Sequence, residues 1–452
     1  MERTPNRSGI RNAALPIAAM TRRDAFKAAA LGGLCLQLPS AARALVAPLG
    51  LRLGNGLRMH LASNKSGYVS AALVLRSKEI ADPRGLAHIM EHTSFTGAAG
   101  SLSAKEVKTL HSDCIQDSNA TTGRGMVQWN ATFLPKYTAQ VLDLLAITSL
   151  DQKFDVETVA SEARVVLQEL YLDKYDAKGQ AKRQFEAALY GPTHPYTRDT
   201  TETEIAVVRT PPAQLAAELA QYSQLLKLPA NMDLFLVGEF DSEAIGEMVR
   251  KSFGGYAFAQ GPRLEVPQVG VTRAHIALNG VSKELQRPMS EMRIAWNTGV
   301  GVTHPQARTL MALGEYLNKV LLSELREKSG DSYTPEARFD TDSCSGIFEI
   351  KIASSNNPEG VERRLFEALA KLKDRLEPKE LRHFSDRLEL KRRQGAQNNA
   401  ELVECMVERT LHGAASHDFE IGSITVDEIV AAARTYLPAH KGAYVRLALL
   451  GQ

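Results

Sequence analysis

His88-Ile89-Met90-Glu91-His92 is the stretch from which the rest of the chain is best read. On a helix its two histidines and its glutamate fall at i, i+3 and i+4 and project from one face. Two neutral imidazoles can take two positions of a tetrahedral Zn²⁺, a carboxylate from elsewhere a third, and water the fourth. The metal acidifies such a water enough to make a nucleophile near neutral pH. Glu91, too close to His92 to share the metal easily, is placed to accept the proton of that water. The spelling is H-x-x-E-H, the reverse of the commoner H-E-x-x-H. A helix with two surface histidines and a glutamate is the ordinary alternative, so the motif needs support from elsewhere.

Downstream, Asp155 to Glu169 reads as a helix with few breakers, in which Glu162 and Glu169 share a face two turns apart. A pair of glutamates at this spacing is most often a solvated face. It is also a source for the missing third ligand.

With Glu169 at this separation from His92, the chain resembles the pitrilysin/insulinase family of zinc metallopeptidases, the inverzincins. The resemblance implies one zinc per chain held by His88, His92 and Glu169, with Glu91 as catalytic base and Glu162 as the acid that orients the ligands. Further pieces match. Asn55-Gly56-Leu57 stands before a strand, Phe95-Thr96-Gly97 follows the zinc helix, and His194-Pro195-Tyr196 fits the family pattern. Ser118-Asn119-Ala120-Thr121-Thr122 is similar to the edge strand on which these enzymes lay substrate, which makes Asn119, Ala120 and Thr121 substrate-binding residues. The resemblance runs from about Leu51 to the C-terminus. Thr93 and Ser94 depart from it, standing where a bulky apolar residue commonly follows the motif, as does Thr201-Glu202 in place of a Gly-Thr.

An internal duplication organises the chain. Leu228-Pro229-Ala230 precedes the apolar run Met232 to Gly238, and Leu437-Pro438-Ala439 precedes Tyr444 to Gly451. Each follows a helix with its own start signal, Pro211-Pro212 in one copy and the capping box Thr425-Val426-Asp427-Glu428 in the other. The expectation is an α+β protein of two similar domains, each a mainly antiparallel sheet with packed helices, together forming half of a clamshell. Residues 45–262 make the zinc-bearing domain and 268–452 the second, with Gly261, Pro262 and Pro267 breaking periodicity between them. The second copy has no H-x-x-E-H. It has a helix running through Arg326 to a Lys328-Ser329-Gly330 stop and then Tyr333, and the resemblance implies that Arg326 and Tyr333 hold the substrate backbone and the developing oxyanion.

Residues 1–44 read as an extension and export signal: Arg22-Arg23, the small apolar run Ala28 to Leu38, and Ala42-Arg43-Ala44 as a cleavage signature. This predicts a periplasmic protein carried by the twin-arginine route, with Met20 an alternative start. The apolar run is too short for a convincing membrane span. Cys114, Cys344 and Cys405 read as ordinary buried thiols, with at most one bridge among them. A net charge of +2 in 452 residues, 23% of them charged, offers no basic stripe for nucleic acid.

The expected activity is that of a zinc endopeptidase acting on extended or unfolded peptides in a chamber closed by two chains, as a homodimer or with a related partner. A peptide would add as a strand near Asn119 to Thr122. A non-catalytic peptide-binding or assembly subunit, and a metallohydrolase of small amides, are the alternatives.

Overall fold

The computed structural model describes residues 49–76, 85–123, 126–191, 194–197, 201–257, 277–282, 290–328, 330, 335–341, 345–355, 357–372, 376–395, 397–412, 424–440 and 442–451. The export-signal reading of residues 1–44, the domain boundary at 262–268 and Tyr333 therefore fall outside the described residues.

The first unit carries strands β1 (Leu49–Arg52), β2 (Arg58–Ser63) and β3 (Val69–Leu75), then α1 (Leu86–Thr96), α2 (Ala104–Cys114), β4 (Asp117–Gly123) and β5 (Met126–Phe133). It continues with α3 (Thr138–Leu150), α4 (Val156–Tyr175), α5 (Ala177–Tyr190), α6 (Thr201–Val208), α7 (Pro212–Leu226), β6 (Met232–Gly238) and α8 (Ser242–Phe253). The second unit has β7 (Ala277–Ser282), β8 (Ser290–Asn297), α9 (Ala307–Leu321) running into a π-helical segment (Leu322–Lys328), β9 (Pro335–Thr341) and β10 (Gly346–Ser355). It closes with α10 (Pro358–Ala370), α11 (Pro378–Gly395), α12 (Asn399–His412), α13 (Val426–Tyr436) and β11 (Val445–Gly451).

The start signals act as their chemistry requires. The Asp155 side chain accepts from the Thr158 amide to begin α4, Pro212 occupies the first turn of α7, and Thr425 and Glu428 cap α13 reciprocally. The π-helical segment prolongs the helix expected through Arg326, and Gly330 beyond it has φ +67°.

The two sheets run β1-β2-β6-β3-β5-β4 and β7-β11-β8-β10-β9. Aligned on β6 and β11, the two strands that follow the Leu-Pro-Ala signals, the second order repeats the first without β1. In each sheet one pair is parallel, β2 with β6 and β7 with β11, and the other neighbours are antiparallel. The fold is α+β, with two like units, as the sequence leads one to expect.

One face of each sheet carries its own helices. Val69, Ala71, Leu73 and Trp129 join Ile89, Val159, Val166 and Leu219 in the first core, and the second core gathers Ile294, Trp296, Phe348, Leu313 and Ile429. The opposite faces are covered by exchange. Leu402, Val403, Met406 and Val407 of α12 pack on Ala72, Val74, Phe235 and Val237 of the first sheet, while Phe185, Ala188 and Leu189 of α5 pack on Ile347, Val445 and Leu447 of the second. Coverage on both faces explains why β3 and β6 are buried along their whole length and apolar at nearly every position. The exceptions are Ser70 in β3 and the charged Asp233 in β6, fully buried and held by Arg58, His60 and Arg76 within 2.9 Å. Burial raises its pKa, but these three partners outweigh that and set it well below the usual carboxylate range.

Cys114 is a free buried thiol, whereas Cys405 in α12 is disulfide-bonded to a partner outside the described residues. The reading of Cys405 as an ordinary thiol is therefore corrected. Dispersion along a sequence says nothing about separation in space, which alone decides whether a bridge can form.

Candidate metal centre

Helix α1 leaves a left-handed Gly85 (φ +74°) and turns Leu86, Ile89 and Met90 into the first core. The same periodicity sends His88, Glu91 and His92 toward α4 and β4. On α4, Val159, Ala163, Val166 and Leu170 are buried, so Glu162 and Glu169 flank the packed face on the side of the histidines.

Glu169 Oε2 lies 3.7 Å from His88 Nε2 and 3.6 Å from His92 Nε2. Ligand atoms from all three residues fall within 4.8 Å of one another. Donors about 2.0–2.2 Å from a tetrahedral zinc stand roughly 3.3–3.6 Å apart, so the donor types suit that metal and both carboxylate–imidazole distances come close to its spacing. Each imidazole also turns its other nitrogen to a carboxylate. His88 Nδ1 is 3.0 Å from Glu204 Oε2, and His92 Nδ1 is 3.5 Å from Glu162 Oε2. Carboxylates in these positions hold the proton on Nδ1 and leave both Nε2 atoms free to ligate.

Glu91 Oε2 accepts a 2.5 Å hydrogen bond from Thr122 Oγ1 on β4. Among the described residues that strand is the last in its sheet and pairs with β5 alone, Asn119 opposite Asn130 and Thr121 opposite Gln128. Asn119 and Thr121 are half-buried and Ala120 is buried. The structure thus brings together His88, Glu91, His92, Glu162, Glu169 and the edge strand. Arg326 belongs to the second unit, exposed on the π-helical segment, and is not part of this cluster.

Glu204 was not singled out from the sequence. It sits 5% exposed on α6, on one face with Thr201, Ile205 and Val208, all buried. A glutamate in the apolar phase of a short helix is the signal that marks it, since a buried carboxylate needs a partner. Gly85 makes room for it: a Cβ at Gly85 would lie 2.1 Å from Glu204 Cγ. Gly85→Ala should therefore push Glu204 off His88, and Glu204→Gln should weaken the same contact. Each is expected to lower zinc affinity by about 10- to 100-fold while the chain stays folded, read by competition with a chelating dye. Unchanged affinity in both variants would remove Glu204 from the site.

Electrostatics in the metal-free centre follow from the same contacts. Burial works to lower the pKa of His92, but Glu162 and Glu169 outweigh it and raise it to about 9. Burial works to raise that of Glu169, but the two histidines outweigh it and bring it down to about 2. The His92 term stabilises the metal-free fold fully below its ordinary value of 6.5 and is lost as pH rises through about 9. The Glu169 term is present above 4.5 and lost as pH falls through about 2. Zinc takes a neutral imidazole, so binding must expel the His92 proton. Calorimetric titration at pH 7 in buffers of different ionisation enthalpy should show release of about one proton per zinc, shrinking above about pH 9. Proton release that is absent at pH 7 would contradict the ion pair.

A paired α+β fold with one metal triad among the described residues, in the first unit, defines the class. Two family models match this chain, that of insulinase (peptidase family M16) over residues 69–193 and that of the peptidase M16 inactive domain over 215–384. The chain belongs to the M16 peptidase family, and the match to the inactive domain begins in α7 of the first unit, beyond H-x-x-E-H, and runs into the second. It is 27% identical over 324 residues to an uncharacterized zinc protease of Mycobacterium tuberculosis, covering 70% of this chain and 72% of that one. Among solved structures it is similar to a protease from Helicobacter pylori, with a TM-score of 0.75 at 17% identity over 88% of this chain and 98% of the other. It also resembles the periplasmic protease PqqL of Escherichia coli, with a TM-score of 0.70 at 16% identity over 90% of this chain and 46% of PqqL.

Proposed function

We propose that the protein is a zinc endopeptidase that cuts extended peptides laid along β4. The observation that carries this is the complete set of groups in one place: three ligands within 4.8 Å of one another, and Glu91 tied by Thr122 to an open sheet edge. Zinc, when bound by His88, His92 and Glu169, supplies acidification of water and polarisation of the scissile carbonyl. Glu91 takes the proton of the attacking water and returns it to the departing amine, while the Thr122 hydroxyl holds its carboxylate in line. The unpaired edge of β4, at Asn119 to Thr121, binds the peptide backbone by strand addition, which excludes folded proteins. Arg326 and Tyr333 stabilise the oxyanion from the second domain.

In this reading two such units, identical or related, build the chamber; the chain covers 46% of PqqL. The zinc domain of one then faces Arg326 and Tyr333 of the other. Residues 1–44 direct export to the periplasm by the twin-arginine route. The disulfide at Cys405 supports that reading, since such bonds persist in oxidising compartments. Among the described residues no helix is long and apolar enough to cross a membrane.

Zinc analysis, mass in solution and cleavage of an unstructured peptide together test the proposal. A zinc-bearing chain that binds but does not cut peptides would favour the non-catalytic subunit. One that hydrolyses small amides but leaves peptides intact would favour the small-molecule hydrolase.

A further inference from the structure

Thr93 and Ser94, the two departures that follow the zinc motif, each bind the backbone of α1. Ser94 Oγ donates to Glu91 O at 2.6 Å and accepts from Trp129 Nε1 at 2.9 Å. Thr93, fully buried, turns its hydroxyl to Ile89 O and Met90 O, both at 3.0 Å. Gln152, in the loop between α3 and α4, reaches the same turn: its Nε2 donates to Thr93 Oγ1 at 2.6 Å and to Met90 O at 3.2 Å. Its Oε1 in turn accepts from Lys227 Nζ.

Lys227 is buried at the end of α7, its ammonium 5.6 Å from the centre of the Phe154 ring. Burial pulls its pKa down to about 7. An uncompensated lysine costs stability in such a place. What it supplies is direction. In its protonated form the amine has donors and no acceptor, so it admits one orientation of the Gln152 amide, oxygen toward Lys227 and NH₂ toward the helix. With the amide reversed, its oxygen would face Met90 O and lose both donations.

We propose that Lys227 is a positioning residue of the active site, which orients Gln152 to clamp the turn of α1 that carries Glu91. The role rests on the peptidase reading. Lys227→Met keeps the stem and removes the donor, and because it relieves a buried charge it should leave thermal stability unchanged or higher. Turnover should nonetheless fall about tenfold, with KM and zinc content unchanged, as expected when a catalytic group loses its setting. Gln152→Leu should do the same, and the double variant should be no worse than either single one, since both break one chain of contacts.

Amide hydrogen exchange in α1 gives a readout that needs no activity, and it should speed up in Lys227→Met while α2 stays unchanged. If the chain proves not to be a peptidase, wild type will be inactive while this exchange effect persists. Normal turnover together with normal α1 exchange in Lys227→Met would overturn the proposal. So would additive losses in the double variant.

Discussion

Glu91→Gln should retain its zinc and lose at least about 100-fold in turnover, with little change in KM. The amide is nearly the size of the carboxylate, and its oxygen can still accept from Thr122 Oγ1, so the local geometry survives. Neither ligating nitrogen is touched, nor are the contacts of His88 and His92 with Glu204 and Glu162. What disappears is the only acid–base function assigned to the site. Metal analysis beside steady-state cleavage of an unstructured peptide checks this. Retention of near-normal turnover would mean that another group moves the proton, and loss of zinc would mean that Glu91 is a ligand.

The second large effect concerns the metal itself. Glu169→Ala should weaken zinc binding by well over 100-fold and abolish cleavage at ordinary zinc levels, because it removes a ligand rather than a group behind one. Glu162→Ala, which loses only the 3.5 Å contact to His92 Nδ1, should cost about 10- to 100-fold in affinity and keep measurable activity when zinc is added. The pair of variants separates the two glutamates of α4, which the sequence places on one face without saying which reaches the metal. Zinc retained after dialysis against a chelator provides the comparison. A larger loss in Glu162→Ala than in Glu169→Ala would reverse the assignment.

Much of the centre was legible because metal chemistry constrains residue type and spacing together. His88, Glu91 and His92 must share a helical face, and Glu162 and Glu169 announce themselves by their spacing on a helix capped at Asp155. The duplication was legible for a similar reason, since a helix stop, Leu-Pro-Ala and an apolar strand recur in order. What stayed hidden depends on long-range pairing. Glu204 meets His88 across the fold, and its exposed neighbour Glu202, paired with Lys174, draws the eye instead. Gly85 carries no local mark, because the reason for its missing side chain is Glu204. Thr93 stood out only as a departure, for its partners Gln152 and Lys227 arrive from a loop and a distant helix end. The exchange of α5 and α12 between the sheets left no trace in the strands, since an apolar strand reads alike whichever unit covers it.

The proposed peptidase function stands on one zinc per chain, held by His88, His92 and Glu169. Zinc titrated into the metal-free chain, with cleavage of an unstructured peptide followed at each addition, tests it most directly. Activity should rise in proportion to bound zinc and stop rising at one equivalent per chain. Cleavage that proceeds in the metal-free chain, or a fully loaded chain that leaves the peptide intact, would contradict it.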